Sequence, residues 1–250
     1  MICIQKHVPP ERTSSEQTSS ERNPAENWRR ARAVFVRGAR GVIVAGAIFV
    51  LSACSIFPSS EPLAVYVLHP NALETQIPKC AHTVQVHRPK AGGMLNSSKI
   101  VVMPAPQQLS VYKGVRWDEV LPRAVQDYLV DTLRSAAVFS AVLSSESRVE
   151  ADFYLDSTLR SFQSSYVRAA ENGGNPVIEV ELAVQLVEAD SNRILAQHNF
   201  TVLQPSDGAE VNAVVRAFNR AAATLSAQVL EWSAAHIMET TAQERVRTET

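Results

Sequence analysis

Residues 177–202 read VIEVELAVQLVEADSNRILAQHNFTV. In the first half, Ile178, Val180, Leu182, Val184 and Leu186 alternate with Glu179, Glu181 and Gln185. Successive side chains of an extended chain point to opposite faces, so this period of two predicts a strand with one buried and one polar face. Asp190-Ser191-Asn192 supplies a turn, and Ile194, Ala196, Phe200 and Val202 carry the alternation back. The segment is therefore a β-hairpin in a sheet whose one face lies on a core.

The same period appears upstream, where Ala151, Phe153, Leu155 and Leu159 oppose Asp152, Asp156 and Arg160. Asn172-Gly173-Gly174-Asn175 makes the turn into the hairpin. Shorter apolar runs at 63–68, 82–88, 100–103 and 138–143 predict further strands, stopped by Pro70, Pro89, Pro104 and Pro106, with a loop at Gly92-Gly93. Between them, 117–137 changes to the helical period: Trp117, Leu121, Val125, Tyr128, Leu129 and Leu133 share a face. Pro122 is tolerated only in a first turn, which predicts a start near 116–118 with Asp118 and Glu119 in that turn.

After the hairpin, Asp207 and Glu210 have capping-box spacing. Val211, Val214, Phe218, Leu225, Val229 and Trp232 then form a stripe about six turns long, and the polar residues from Glu239 onward are expected to fray. Trp117 and Trp232 are both expected in the core. Strands, a helix, a run of antiparallel strands and a covering helix make an α/β fold. It is read as a two-layer sandwich of a mixed, largely antiparallel sheet covered by two helices.

The amino-terminal quarter has another character. Residues 5–27 are polar and rich in Ser, Glu and Pro, with too little apolar surface to offset the ordering of the backbone. Residues 28–40 carry five arginines and no acid, 41–51 (GVIVAGAIFVL) are uncharged and apolar, and Ser52, Ala53 and Cys54 follow. A basic stretch, a short apolar stretch and small residues before a processing site compose an export signal. A single transmembrane span is the alternative, but it requires about 20 apolar residues, roughly twice the strongly apolar run here. Leu51-Ser52-Ala53-Cys54 fits a bacterial lipobox, which predicts cleavage between Ala53 and Cys54 and lipidation of Cys54. Ser55, rather than an Asp, follows the acylated position and predicts outer-membrane sorting. The expected organisation is a leader and signal peptide over 1–53, a lipid-proximal linker over 54–62, a folded domain over 63–237 and a polar tail over 238–250.

Cleavage removes 8 of the 24 Lys+Arg and 4 of the 25 Asp+Glu, leaving 16 basic and 21 acidic residues and a formal charge of −5. An acidic balance argues against nucleic acid as a partner. Of the three cysteines, Cys3 leaves with the leader and Cys54 is the acylation site, so Cys80 has no partner for an intramolecular disulfide.

Chemistry is sparse. Nucleophile elbow, phosphate-binding loop, dinucleotide fingerprint and paired-histidine zinc motif are all missing from the sequence. Cys80, His82 and His87 are its one Cys/His cluster, but in an extended chain His87 points away from the other two, against a shared metal. Glu179 and Glu181 share a strand face as paired acids do, although a solvated face explains them. The expectation is no catalytic residue, no cofactor and no metal.

The ordered set of landmarks resembles the ABC-type transport auxiliary lipoprotein component family, which includes paraquat-inducible protein C. It comprises the lipobox, Ile100-Val101-Val102-Met103-Pro104, Tyr112 before Trp117 and Pro122, and Phe139-Ser140-Ala141-Val142. Phe153-Tyr154-Leu155 leading to Phe162, the hairpin from Val180 to Phe200, and Ala217-Phe218 with Trp232 complete it. The resemblance runs from 63 to 232 and fits least well over 70–99. It implies a periplasm-facing, lipid-anchored accessory subunit. Its partners would be an MCE-domain substrate-binding protein and the associated ABC permease and ATPase, which move lipids or other hydrophobic molecules between the inner and outer membranes. Some members assemble as homo-oligomeric rings. The only residue it transfers is Cys54, as a modified site. A structural envelope lipoprotein that anchors a secretion or surface-polymer assembly is the alternative reading.

Overall fold

The computed structural model describes residues 63–70 and 72–248. The chain divides into two units, 1–59 and 60–250, and every described residue lies in the second. Eight strands form one mixed sheet, curled as a half-barrel and accompanied by two helices. In chain order they are β1 (Ala64–Tyr66), β2 (Cys80–Val86), β3 (Lys99–Ala105), β4 (Gln108–Trp117), α1 (Leu121–Ala136), β5 (Phe139–Ser144), β6 (Phe153–Ser165), β7 (Val177–Glu188), β8 (Arg193–Pro205) and α2 (Val211–Thr248). Among the described residues no helix is long and apolar enough to cross a membrane.

The spine of the sheet is β6. Along one edge it pairs antiparallel with β7, which pairs with β8 in the hairpin read from the sequence. Its other edge is shared. Val84–Val86 of β2 lie parallel to Phe153–Leu155, Lys90 bridges to Thr158, and Val101–Met103 of β3 lie parallel to Gln163–Ser165. Two short strands and the segment joining them thus pave one long neighbour. β4 pairs antiparallel with β3, while β1 and β5 close the outer flanks by parallel pairing with β4 and β2.

Bulges set which residues reach the core. In β6 the register slips between Leu159 and Ser161, so the inward phase passes from Phe153, Leu155 and Leu159 to Phe162. An extra residue in one strand bends it and increases twist, in keeping with a curled sheet. In β8 a slip beside Leu195 turns Ile194 outward, 53% exposed, whereas the alternation predicts it inside. Phe200 and Val202 are buried as expected.

Three further expectations are corrected. Residues 108–117 form a strand that the sequence reading leaves unassigned, turning at Gln107 with φ 64°. Pro104, expected to stop β3, lies inside it where the β3–β4 register shifts, because a bulge accommodates a missing ladder donor. The first helix begins at Leu121 and not near 116–118. Trp117 ends β4, its N–H donating to Ser98 O, and Asp118 and Glu119 precede the helix. Pro122 still lies in the first turn, on an extended Val120 cap.

At the other end, Asp207 and Glu210 make no capping box. Asp207 Oδ2 accepts from Arg220 at 3.1 Å, and Glu210 O accepts from the amides of Ala213 and Val214. The polar residues from Glu239 continue α2 rather than fray, with Thr240 and Thr241 donating back to the carbonyls of His236 and Ile237.

The core lies between the sheet and the two helices. α1 brings Leu121, Val125, Leu129 and Leu133; α2 brings Val214, Phe218, Leu225, Leu230 and Ile237. With Ile178, Val180, Leu182, Val184 and Leu186 of β7 they form one cluster of buried residues.

Candidate functional site

Cys54, the cleavage position at Ala53 and the linker over 54–62 lie outside the described residues. The description begins at Leu63, directly before β1, where Leu63, Val65 and Val67 are 52%, 47% and 40% exposed. Among the described residues β1 is a sheet edge whose only strand partner is β4.

Cys80 and His82 of β2, and His87 directly after it, lie in separate surroundings. Cys80 is buried. His82 Nδ1 stands 3.5 Å from Asp152 Oδ2, and its Nε2 is 3.0 Å from Thr241 Oγ1 of α2. His87 Nδ1 lies 2.6 Å from Asp156 Oδ1, and its ring stacks on Tyr154. Each histidine therefore has its own carboxylate from the β6 side, so the trio does not converge. Among the described residues no group of three or more His, Cys, Asp or Glu could hold a metal ion. Burial pushes the Cys80 thiol pKa up, against the lowering effect of a backbone hydrogen bond at His82. A thiol held protonated and covered is a poor nucleophile. Alkylation of Cys80 by iodoacetamide at neutral pH should be about tenfold or more slower in the folded protein than in urea. Peptide mass spectrometry would read this, and equal rates would contradict the assigned burial.

Glu179 and Glu181 lie on the polar face of β7. Glu181 accepts from Asn199 Nδ2 at 2.7 Å and stands 3.9 Å from Arg160 Nε, which is cross-strand pairing. Other carboxylates are likewise engaged. Hydrogen bonds from Ser144 and Ser191 hold Glu146 and Glu188 respectively below the usual carboxylate range, with Arg123 and Arg193 adding to the effect.

The two tryptophans expected in the core separate. Trp117 is 1% exposed and meets Phe218 and Phe162 edge-on, at 5.4 and 6.1 Å between centroids, while those two rings stack at 4.9 Å. Trp232 is only half-buried. It stands midway along α2 among Phe200 (5.7 Å), His236 (5.1 Å) and His198 (6.3 Å). The stripe reaches it after the buried Leu225 and Val229, but across from it β8 offers the exposed His198 beside Phe200, so the ring rests on the margin of the core. The signal for this placement is the polar His198 in a position of otherwise apolar phase.

An open recess of about 460 Å³ runs from this aromatic group between β8 and α2, lined by His198 to Thr201 together with Gln228, Glu231 and Trp232. A second, of about 630 Å³, follows along the same two elements at Gln204, Arg216, Asn219, Arg220 and Thr224, with His69 beside it. These are shallow, polar-rimmed surfaces that suit contact with another molecule.

Comparison with known proteins adds four findings. Residues 66–230 match the family model described as ABC-type transport auxiliary lipoprotein component. A crystal structure of a protein from Xanthomonas campestris superposes with a TM-score of 0.66 at 23% identity, covering 72% of this chain and 99% of that one. A second crystal structure, of an uncharacterized protein, gives 0.53 at 16% identity, covering 68% and 98%. At these identities the likeness establishes the shared fold. Among curated proteins, none matches the chain.

Proposed function

The chain belongs to the ABC-type transport auxiliary lipoprotein component family, and from that premise we propose that it is a non-enzymatic accessory subunit, lipidated on Cys54 and facing the periplasm from the outer membrane. Membership implies a cell-envelope location and association with an ABC transport system. The finer reading is that this system contains an MCE-domain substrate-binding protein with its permease and ATPase, and moves lipids or other hydrophobic molecules between the two membranes. The observation that carries it is the family match over 66–230, which spans the sheet and most of α2. The long open recesses support a docking role. The titratable groups considered above are held in pairwise contacts, which accounts for them without a catalytic assignment.

The test uses the full chain, purified in detergent, mixed with an MCE-domain substrate-binding protein from the same cells. A complex is expected on gel filtration and by crosslinking, and it should survive Glu179→Gln and Glu181→Gln. Turnover of a lipid or peptidoglycan substrate by the chain alone, abolished by one polar substitution, would overturn the non-enzymatic reading. Failure to form the complex would remove the MCE partnership.

A further inference from the structure

Among the described residues β8 pairs with β7 and with no other strand, which leaves its outer edge open there. Between Ile194 and Gln204 no backbone group on that edge has a backbone partner among the described residues. The sequence there, ILAQHNFTVLQ, holds no Lys, Arg, Asp, Glu or Pro. Folded proteins ordinarily blunt a long edge strand with charges, proline or a covering element, because an unprotected one is a template for another strand. This one is neither short nor charged, and Leu203 on it is 44% exposed. Four consecutive residues, His198 to Thr201, line the first recess. Four consecutive residues of one strand thus border the same space, in keeping with an accessible backbone edge.

α2 forms the other wall. A groove between an open edge strand and a helix is the geometry in which an extended peptide adds to a sheet, taking affinity from main-chain hydrogen bonds and specificity from pockets at alternate side chains. We propose that the edge of β8 and the facing side of α2 bind an extended segment of a partner protein. That segment adds as a further strand and carries an acidic residue about four positions from a large apolar one.

The two side chains follow from the ends of the groove. At one end, the half-buried Trp232 with Phe200 offers an aromatic surface that an apolar side chain covers. At the other, Arg216 is exposed with no partner among the described residues, Arg220 lies beside it, and the recess lining contains no acid. Arg220 also donates to Pro205 O and engages Asp207, which closes the edge where β8 ends and leaves Arg216 as the unanswered cation. Phe200 and Gln204 mark these two ends. They are four residues apart on one face, about 13 Å at the rise of a strand. A second copy of β8 is the other candidate occupant, but β8 has no acidic side chain past Arg193 to meet Arg216. Charge complementarity therefore selects a different, acidic strand.

The inference deepens the docking reading above and rests on it only in taking the occupant to be protein. The probe is a fluorescent octapeptide of alternating Thr and Val, with Glu at its second position and Trp at its sixth, titrated into the full chain in detergent. Hydrogen exchange should show peptide-dependent protection of amides within 194–204. Exchanging the peptide's Glu for Lys should weaken binding about tenfold, and Arg216→Glu should do the same and restore the Lys peptide. Because the peptide exchange leaves the protein unaltered, the result stands even if Arg216→Glu disturbs folding. N-methylation of alternate peptide amides on the pairing side should abolish binding. The proposal is overturned by absence of binding at millimolar peptide, by protection elsewhere, or by indifference to both charge changes. Protection of 194–204 that tracks protein concentration without peptide would assign the edge to a second copy and overturn it too. An Arg216→Glu chain that keeps its MCE complex would leave the docking reading standing and exclude this groove from it.

Discussion

Trp117→Ala should lower the stability of the folded domain by about 3–5 kcal/mol, the range for emptying a fully buried large aromatic site. The ring ends β4 and is wedged edge-on against Phe162 of β6 and Phe218 of α2, so its loss opens a void where three elements meet. The surroundings are poorly placed to collapse into that void. Phe162 and Phe218 are held against each other by their own stacking, and the Trp117 amide is fixed to Ser98 O. Domains of this size hold only about 5–15 kcal/mol in total, so much of the margin disappears and the melting temperature should fall by about 10 °C or more. Trp232→Ala is the internal control. Its ring is half-buried and borders solvent, so truncation should cost less than half as much. Urea melts of the parent and both variants decide the matter. A Trp117→Ala protein that melts like the parent, or a Trp232→Ala protein that melts lower, would refute the assigned roles of the two residues.

That contrast shows where the sequence is legible. β6, β7, β8 and the buried stripe of α2 announce themselves because one face of each is mostly apolar and the other mostly polar, a pattern that burial on one side imposes. β4 does not. Its QLSVYKGVRW has Ser, Lys and Gly among its apolar residues, and none before Trp117 is fully buried, so neither face leaves a period. The consequence spreads one element further: with β4 unseen, Trp117 looks like the start of the helical stripe and draws the helix start forward by four residues or so. Bulges escape for a different reason. A one-residue slip at Arg160 or Leu195 changes phase without changing composition, and only the cross-strand partners reveal it. The open edge of β8 is half legible. Its lack of charge is plain in the residues, but that it is an edge depends on where every other strand lies.

Cys54→Ala should abolish attachment of the acyl chains and with it stable residence in the envelope membrane. Alanine offers no sulfur to modify, and the membrane affinity at stake is large. Each buried methylene contributes about 0.8 kcal/mol, and a single chain binds only marginally and reversibly, so durable anchoring requires more than one. Two measurements separate the lipobox from the transmembrane reading of residues 41–51. If Cys54 is lipidated and cleavage precedes it, the parent incorporates labelled palmitate and runs at the mass of a chain lacking 53 residues. The variant does neither, and appears as an unmodified precursor or in the periplasmic fraction. If the apolar stretch is a permanent span, parent and variant share one mass, neither is labelled, and both sediment with membranes. Sucrose-gradient fractions of the parent test Ser55 at the same time, and enrichment with inner-membrane markers would contradict outer-membrane sorting. If Cys54 carries the anchor, the mechanical consequence is short reach. Leu63 lies nine residues beyond Cys54, which at about 3.3–3.6 Å per residue limits its distance from the acylated residue to roughly 30 Å. A domain so confined would meet a partner reaching from the opposite membrane at a high effective concentration. Contacts along β8 and α2 too weak to hold two free proteins together can then suffice, and Cys54→Ala should weaken capture of that partner in cells while leaving the purified affinity unchanged.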